Sequence, residues 1–245
     1  MTFAAAVTVS GRGVDRRPNA AVLVFPGSNG DRDLLEALNL CGFSARLHPA
    51  HLTLPGDVQL VGLPGGFSYG DYWRAGMLAS RARAVQALPS FVAAGGLVLG
   101  VCNGFQILVE AGLLPGALSY NEPPRFVHRW IDVQVTPAAK ARPNPWFSTL
   151  RVGARLRLPI AHAEGRYLHP QGDAVVAAQV PLSYCENPNG SQAETAAVFD
   201  ETGRVLGIMP HPERACEAVL GSDDGAALLR SACTFLLSRS SKESA

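Results

Sequence analysis

The stretch Gly100-Val101-Cys102-Asn103-Gly104-Phe105-Gln106 constrains this chain more than any other. It follows the apolar run Gly96-Leu97-Val98-Leu99 and opens a helical pattern, so the backbone must turn sharply from strand to helix at Cys102. Glycines flank the turn because a side chain would clash in so tight a bend. A cysteine at such a point stands at a helix N-terminus, where unsatisfied backbone N–H groups favour thiolate over thiol and lower the pKa from its free value near ~8.5. The turn therefore predicts a nucleophilic thiol; the plain alternative is a small buried apolar residue.

Two further stretches decide between these. After the apolar run Val205-Leu206-Gly207-Ile208-Met209 comes Pro210-His211-Pro212-Glu213-Arg214. The prolines deny His211 a place inside a helix and fix the loop that carries it. Glu213 is close enough in sequence to orient the ring, so Cys102, His211 and Glu213 supply a nucleophile, a base and an orienting carboxylate. Read alone, His211 is a turn residue and Glu213 a solvated carboxylate or a helix cap. The strand pattern Val58–Leu63 runs into Pro64-Gly65-Gly66-Phe67-Ser68-Tyr69-Gly70-Asp71, whose paired glycines can aim N–H groups inward. With the N–H of Asn103, Gly65 and Gly66 would make an anion hole for acyl transfer; Gly-Gly after a strand is otherwise only a turn.

The rest of the pattern alternates strand and helix, as a parallel sheet covered on both faces requires. Ala21–Phe25 reads as a buried strand. Leu34, Leu35, Leu38 and Cys41 line a helix that stops at Gly42. Phe43–Leu47 and Val58–Leu63 are further strands, Arg81–Ala94 one helix, and Leu97–Val101 the strand before the turn. Phe126–Val135 and Leu156–Ile160 alternate like a small antiparallel addition, and Leu228, Leu229, Ala232 and Leu236 mark a last helical stripe. The division expected is a flexible leader over 1–19, a single domain over 20–237 and a flexible tail over 238–245. Gly65, Cys102 and His211 all fall at carboxyl ends of strands, where an open α/β sheet binds its ligands.

Composition narrows the classes. The 245 residues, 47% hydrophobic and 17% charged, are enough to bury a full core, and a net charge of +1 argues against a nucleic-acid partner. Cys41, Cys102, Cys185, Cys216 and Cys233 include no Cys-x-x-Cys pair, which suggests neither a disulfide framework nor a zinc site and fits a reducing cytoplasm. No apolar run reaches the ~20 residues of a membrane helix. His162, Glu164 and His169 lack a further ligand at a recognisable spacing, so no metal is expected.

Together these stretches resemble class I glutamine amidotransferases. Phe67-Ser68-Tyr69-Gly70-Asp71, Cys102-Asn103-Gly104-Phe105-Gln106, Ala111–Leu118, Asn187-Pro188-Asn189-Gly190-Ser191 and Met209–Ala215 narrow the resemblance to the glutaminase subunits of phosphoribosylformylglycinamidine synthase. One departure is Ala163, in Ala161-His162-Ala163-Glu164-Gly165-Arg166, where the family usually has glycine. The resemblance implies a flavodoxin-like α/β fold with a mostly parallel central sheet, helices on both faces and a small antiparallel addition. It implies hydrolysis of L-glutamine to glutamate and ammonia through Cys102, His211 and Glu213. Gln106 would help hold the substrate, and Phe126, Arg129 and Trp130 would contact its α-amino and α-carboxylate ends; by themselves Gln106 reads as an exposed helix residue and Trp130 as core. The ammonia would pass to an ATP-dependent synthetase subunit that makes formylglycinamidine ribonucleotide for purine biosynthesis, with a small subunit bridging the two. No cofactor is expected in this chain, ATP and Mg belonging to the synthetase, since no Walker-type Gly-x-x-x-x-Gly-Lys-Ser/Thr loop is present. Between Arg125 and Arg157 seven basic residues face one acid, Asp132, so part of this stretch is a candidate basic face toward the partner. Competing readings are an amidotransferase subunit of another pathway, a cysteine-elbow chaperone or peptidase, and a non-enzymatic binding subunit.

Overall fold

The computed structural model describes residues 17–141, 144–172 and 179–243. Eleven strands are present among these: β1 Asn19–Val24, β2 Ser44–Pro49, β3 Leu60–Leu63, β4 Leu97–Val101, β5 Ala117–Ser119, β6 Val127–Val135, β7 Arg155–His162, β8 Arg166–Leu168, β9 Leu182–Tyr184, β10 Thr195–Phe199 and β11 Val205–Ile208. The helices are α1 Asp31–Leu40, α2 Arg83–Gln86, α3 Leu88–Ala93, α4 Asn103–Glu110 and α5 Asp224–Glu243.

Nine strands form one sheet in the order β2-β1-β3-β4-β11-β10-β9-β6-β7. The first five are mutually parallel. Strands β10, β9, β6 and β7 continue the same sheet through antiparallel pairings, while β5 and β8 make a separate antiparallel pair. The antiparallel addition is thus four strands continuous with the parallel ones. Every residue of β3, β4 and β11 is buried, as strands covered on both faces must be. In β6 and β7 the pattern changes to alternation: Ile131, Val133, Leu156 and Leu158 face inward, whereas Asp132, Gln134, Arg155 and Arg157 face out.

Two neighbouring residues of β3 show how the helices are distributed. A Cβ on Gly62 would lie 2.9 Å from Leu34 of α1, whereas Leu63 points the other way and touches Gly104 of α4. Helices α1 and α4 therefore cover opposite faces. The C-terminal helix α5 shares the face of α1, with the Cys41 thiol bonded to Ala226 O and the Cys233 thiol to Gly42 O.

The helix read over Arg81–Ala94 is two short helices, because Pro89 has no N–H to continue the ladder across their junction. Residues 238–243, read as tail, extend α5 instead, where Ser238 bonds Phe235 O and Arg239 reaches Gly95 O. The first strand starts at Asn19; the rest of the expected leader, residues 1–16, lies outside the described residues, as do Arg142 of the basic stretch and the chain's last two residues.

Candidate active site

Cys102 follows the strand β4 directly and caps α4 with φ 51° and ψ −104°, a conformation that costs a non-glycine residue ~1–3 kcal/mol. Its surroundings hold it there. Its N–H donates to Ile208 O at 2.8 Å, and its own carbonyl accepts the first helical bond, from Gln106 N at 3.1 Å. The flanking glycines are explained by distance: a Cβ on Gly100 would come within 2.5 Å of Leu108 and 2.6 Å of Gly104 O, and one on Gly104 within 2.1 Å of Leu63 O. Helix α4 thus rests directly on the backbones of β3 and β4, with the sulfur at its N-terminal end.

His211 leaves β11 between its two prolines, and its N–H is fixed to Pro159 O at 2.9 Å. Its Nδ1 lies 2.6 Å from Glu213 Oε1, and both side chains are buried. A carboxylate accepts only, so Nδ1–H donates to it and Nε2 is the nitrogen left to exchange a proton with the sulfur. Nε2 has no hydrogen-bond partner among the described residues. The same small residue touches both reactive side chains, since a Cβ on Gly65 would lie 2.8 Å from His211 Cε1 and 3.5 Å from Cys102 Cβ. Burial works against a charge on His211, but the Glu213 carboxylate and the Cys102 sulfur outweigh it and hold the ring's pKa up at about 10.

Gly65 and Gly66 follow β3 as expected from the sequence. Gly66 has φ 139°, and a Cβ there would be 2.7 Å from Asn29 N. Gly30 N–H donates to Gly65 O at 3.1 Å, so the turn is braced by the loop ahead of α1. Asn103 stands next to the cysteine with its N–H in the first, unsatisfied turn of α4. Its side chain ties the Phe67–Asp71 loop to the helix: Oδ1 accepts from Ser68 N at 3.2 Å, and Nδ2 donates to Asp71 Oδ1 at 3.2 Å and Gln106 Oε1 at 2.9 Å.

Cys102 and His211 share a cavity of about 230 Å³ with Gly66, Gln106 and Phe126. Gln106 borders it but its amide is engaged on both sides, accepting from Asn103 and donating to Glu164 O at 2.7 Å. Arg129 and Trp130 are elsewhere. Register explains this: Val127 pairs with His162 beside the cavity, and each later residue of β6 carries the strand away, Arg129 opposite Ile160 and Trp130 opposite Pro159. Arg129 lines a groove with Arg155, Arg157 and Glu186, and Trp130 is a half-buried residue whose indole packs against Gly221.

The cavity also includes residues to which sequence reasoning gave no such place: Asp71, the His162-Ala163-Glu164 loop and Arg214. The available signal for Asp71 was its position one turn beyond Gly65-Gly66. Ala163 sits without a left-handed backbone, so alanine is accommodated where the family has glycine. Asn121 Oδ1 receives both His162 Nδ1 and Gly165 N at 3.0 Å, and Asn189 Nδ2 donates to Gly165 O at 2.7 Å. The Asn-Pro-Asn-Gly-Ser motif therefore braces this loop from behind. Burial, with help from neighbouring His211, lowers the His162 pKa to about 4. Among the described residues no group of three potential ligands could hold a metal ion, and no helix is long and apolar enough to cross a membrane.

Comparison with known proteins identifies the family. The model of the CobB/CobQ-like glutamine amidotransferase domain matches residues 17–225. The phosphoribosylformylglycinamidine synthase subunit PurQ of Thermotoga maritima is 41% identical over 223 residues, covering 90% of this chain and 99% of the relative. That of Synechococcus elongatus is 48% identical over 215 residues, 86% and 95% of the respective chains. Among solved structures, a chain in the structure of PurLQS from Thermotoga maritima superposes with a TM-score of 0.82 at 40% identity, over 90% of this chain and 99% of that one. A glutamine amidotransferase from the same organism shares the fold at a TM-score of 0.59 and 16% identity, over 90% and 98%. The chain belongs to the PurQ family and is a glutamine amidotransferase subunit of phosphoribosylformylglycinamidine synthase.

Proposed function

We propose that this subunit hydrolyses L-glutamine to glutamate and ammonia through Cys102, His211 and Glu213. The observation that carries the reading is Gly65, which packs against both the imidazole of His211 and the Cβ of Cys102, while Glu213 fixes the ring from the other side. Nε2 of His211 carries the proton given up by the thiol, and the sulfur attacks the side-chain carbonyl carbon of glutamine. The resulting oxyanion is held by backbone N–H groups of Gly65 or Gly66 and Asn103, each worth about 2.7–4 kcal/mol where such donors have been removed from other enzymes. The imidazolium returns its proton to the departing nitrogen, which leaves as ammonia, and a γ-glutamyl thioester remains. Water, deprotonated by His211, hydrolyses the thioester to glutamate and restores the thiol. Glu213 keeps Nε2 available and stabilises the ring whenever it is charged.

The partners follow from the relatives: the ammonia is consumed by an ATP-dependent synthetase subunit that makes formylglycinamidine ribonucleotide, with a small bridging subunit, as the name PurLQS of the Thermotoga maritima complex suggests. ATP and its metal bind on the synthetase. The test is amidine formation by the reconstituted complex with either glutamine or ammonium chloride as nitrogen source. Cys102→Ala abolishes the glutamine-dependent reaction and leaves the ammonium-dependent one intact. Glutamine hydrolysis surviving in Cys102→Ala overturns the reading, and a synthetase of another pathway accepting the ammonia instead would assign the subunit there.

A further inference from the structure

A short way past Glu213 the chain carries Cys216, a free and buried thiol that takes no part in the cleavage steps above. Its Sγ lies 3.2 Å from Pro212 O, so it is bonded to the turn Pro212–Arg214 that holds Glu213. Cys41, a second free and buried thiol, caps the C-terminal end of α1, and its Sγ lies 3.8 Å from Ala226 O. The first turn of α5 brings the two together. Gly225 N donates to Ala215 O at 2.8 Å, and a Cβ on Gly225 would lie 2.1 Å from Pro212 O, the carbonyl that also receives Cys216. The next residue is Ala226, which receives Cys41. At this junction of α1, α5 and the triad turn the two thiols hydrogen-bond each other.

The pair is chemically unequal. The hydrogen bond from Cys216 does most to lower the pKa of Cys41, burial opposes it, and the guanidinium of Arg230 adds to the lowering. Cys216 is pushed up, first by that same hydrogen bond, then by burial and by the charges of Cys41 and Glu213. One sulfur is thus the better thiolate and its neighbour keeps its proton, an arrangement suited to closing on oxidation. Cys233, about two turns further along α5, is the third sulfur here; its Sγ lies 3.5 Å from Gly42 O, and burial and the charge of Cys41 raise its pKa. Access comes from a cavity of about 350 Å³ lined by Cys216 and Glu213 together with Ala37 and Leu40 of α1, the turn that Cys41 caps. A molecule the size of hydrogen peroxide fits it.

Resting on the reading of Cys102, His211 and Glu213 as the glutaminase triad, we propose that Cys41 and Cys216 form a disulfide under peroxide and that this bond switches glutamine hydrolysis off. The Cys41 sulfur attacks one oxygen of hydrogen peroxide, the O–O bond breaks, and Cys41 becomes a sulfenic acid while the departing hydroxide takes the thiol proton and leaves as water. The Cys216 sulfur then displaces the sulfenic hydroxyl, which leaves with the Cys216 proton as a second water. The pair has lost two electrons, peroxide has gained them, and a thiol reductant reverses the change. Closing the bond draws the sulfurs to about 2 Å apart and takes Cys216 away from Pro212 O. The Pro212–Arg214 turn follows toward α1, and Glu213 with it, out of the 2.6 Å contact that aims His211. A misplacement of about 1 Å at a catalytic group costs on the order of 100-fold in rate. Cys41 and Cys216 are positioning residues, since they act only through Glu213.

The experiment exposes the full-length subunit to a peroxide titration, quenches it with catalase and then assembles it with its partners, for wild type, Cys41→Ser and Cys216→Ser. Glutamine-dependent and ammonium-dependent amidine formation are read with and without dithiothreitol, and the cysteines are mapped by differential alkylation and mass spectrometry. At the lowest dose that links the pair, wild type should lose glutamine-dependent turnover by roughly 10- to 100-fold, keep the ammonium-dependent rate, show the Cys41 peptide joined to the Cys216 peptide, and recover with dithiothreitol. Both serine variants should match wild type before peroxide and keep their turnover after it. The same link should form in Cys102→Ala, which separates it from oxidation of the nucleophile. Serine variants that lose turnover as wild type does place the damage at Cys102 and overturn the proposal; so does a Cys41 to Cys233 link, the absence of any link, or a link that leaves turnover intact. A serine variant that does not assemble leaves the other, with the mapping in Cys102→Ala, to decide. Failure of the underlying reading looks different, since reduced wild type then shows no Cys102-dependent ammonia release while the Cys41 to Cys216 link still forms.

Discussion

Gly104→Ala sets two effects of opposite sign against each other at the point where the helix meets the nucleophile strand. Inside a helix, exchanging glycine for alanine contributes about 1 kcal/mol of stability through backbone entropy. Here the added Cβ lands 2.1 Å from Leu63 O, 2.7 Å from Leu63 C and 2.9 Å from Leu63 Cβ. To reach an ordinary contact of 3.4 Å, α4 and β3 must separate by about 1.3 Å along that line, and the obstructing atoms are backbone of a fully buried strand. Overpacking of this kind costs about 1–3 kcal/mol, so the net change is destabilising despite the better helix former. The larger effect is on chemistry: Cys102 is two residues away, and a displacement of about 1 Å at a reacting group costs on the order of 100-fold in rate. Denaturant unfolding of the subunit and glutamine turnover of the assembled complex measure the two, with Gly56→Ala as control, since nothing lies within 4 Å of its Cβ. A Gly104→Ala protein that is as stable as wild type and turns over glutamine at the same rate refutes the claim that close approach of α4 to β3 sets the position of the sulfur.

Glu213→Gln removes the charge that keeps His211 protonatable. Because the folded pKa of His211 is raised, its contribution to stability is complete below its unfolded value near ~6.5 and is lost as pH rises through about 10. The wild-type unfolding midpoint should therefore decline across that window, and in Glu213→Gln, where the Cys102 sulfur alone is left to oppose burial, the decline should shrink and move to lower pH. His162 works in the opposite direction. Its lowered pKa costs stability as pH falls from ~6.5 through about 4, and His162→Gln should flatten that acid limb in the same titration. Asn121→Ala strips the acceptor from His162 Nδ1 and Gly165 N and the donor from Arg125 O and His162 O. Leaving those buried groups unpaired should cost about 2–4 kcal/mol in denaturant unfolding and lower glutamine turnover through the slackened cavity wall; an unchanged unfolding midpoint would contradict the bracing role.

What the sequence made legible here shares one property: it is local. An apolar run, a glycine and a cysteine within a few residues oblige the chain to turn at Cys102, and Pro210 and Pro212 oblige His211 onto a loop whatever the remainder does. The parallel pairing of β1 with β2 and of β3 with β4 goes with the helices α1, α2 and α3 that the pattern places between them. What was not legible depends on pairing between distant segments. Phe126, Arg129 and Trp130 are equivalent in sequence as a run beside a strand, and only the register of β6 against β7, which sets Val127 opposite His162, decides that Phe126 borders the cavity while the other two leave it. The end of α5 is similar, since its extension past Leu237 goes with Arg239 finding Gly95 O, a contact between residues 144 apart.

The two classes of information meet at Asn103. Its backbone is fixed by the local turn, which gives its N–H a place beside the sulfur. Its side chain is fixed by long-range contacts, since it joins Ser68 and Asp71 on one loop to Gln106, and through Gln106 to Glu164 on another. The same hydrogen-bond chain that closes the cavity therefore passes through the residue proposed to hold the oxyanion. Cutting it at the side chain and leaving the N–H untouched, as in Asn103→Ala, separates the two duties. If the N–H alone matters, turnover survives. With the chain of bonds required, the Phe67–Asp71 loop loses its tie to α4 and glutamine turnover falls, although Gln106 still holds Glu164 O.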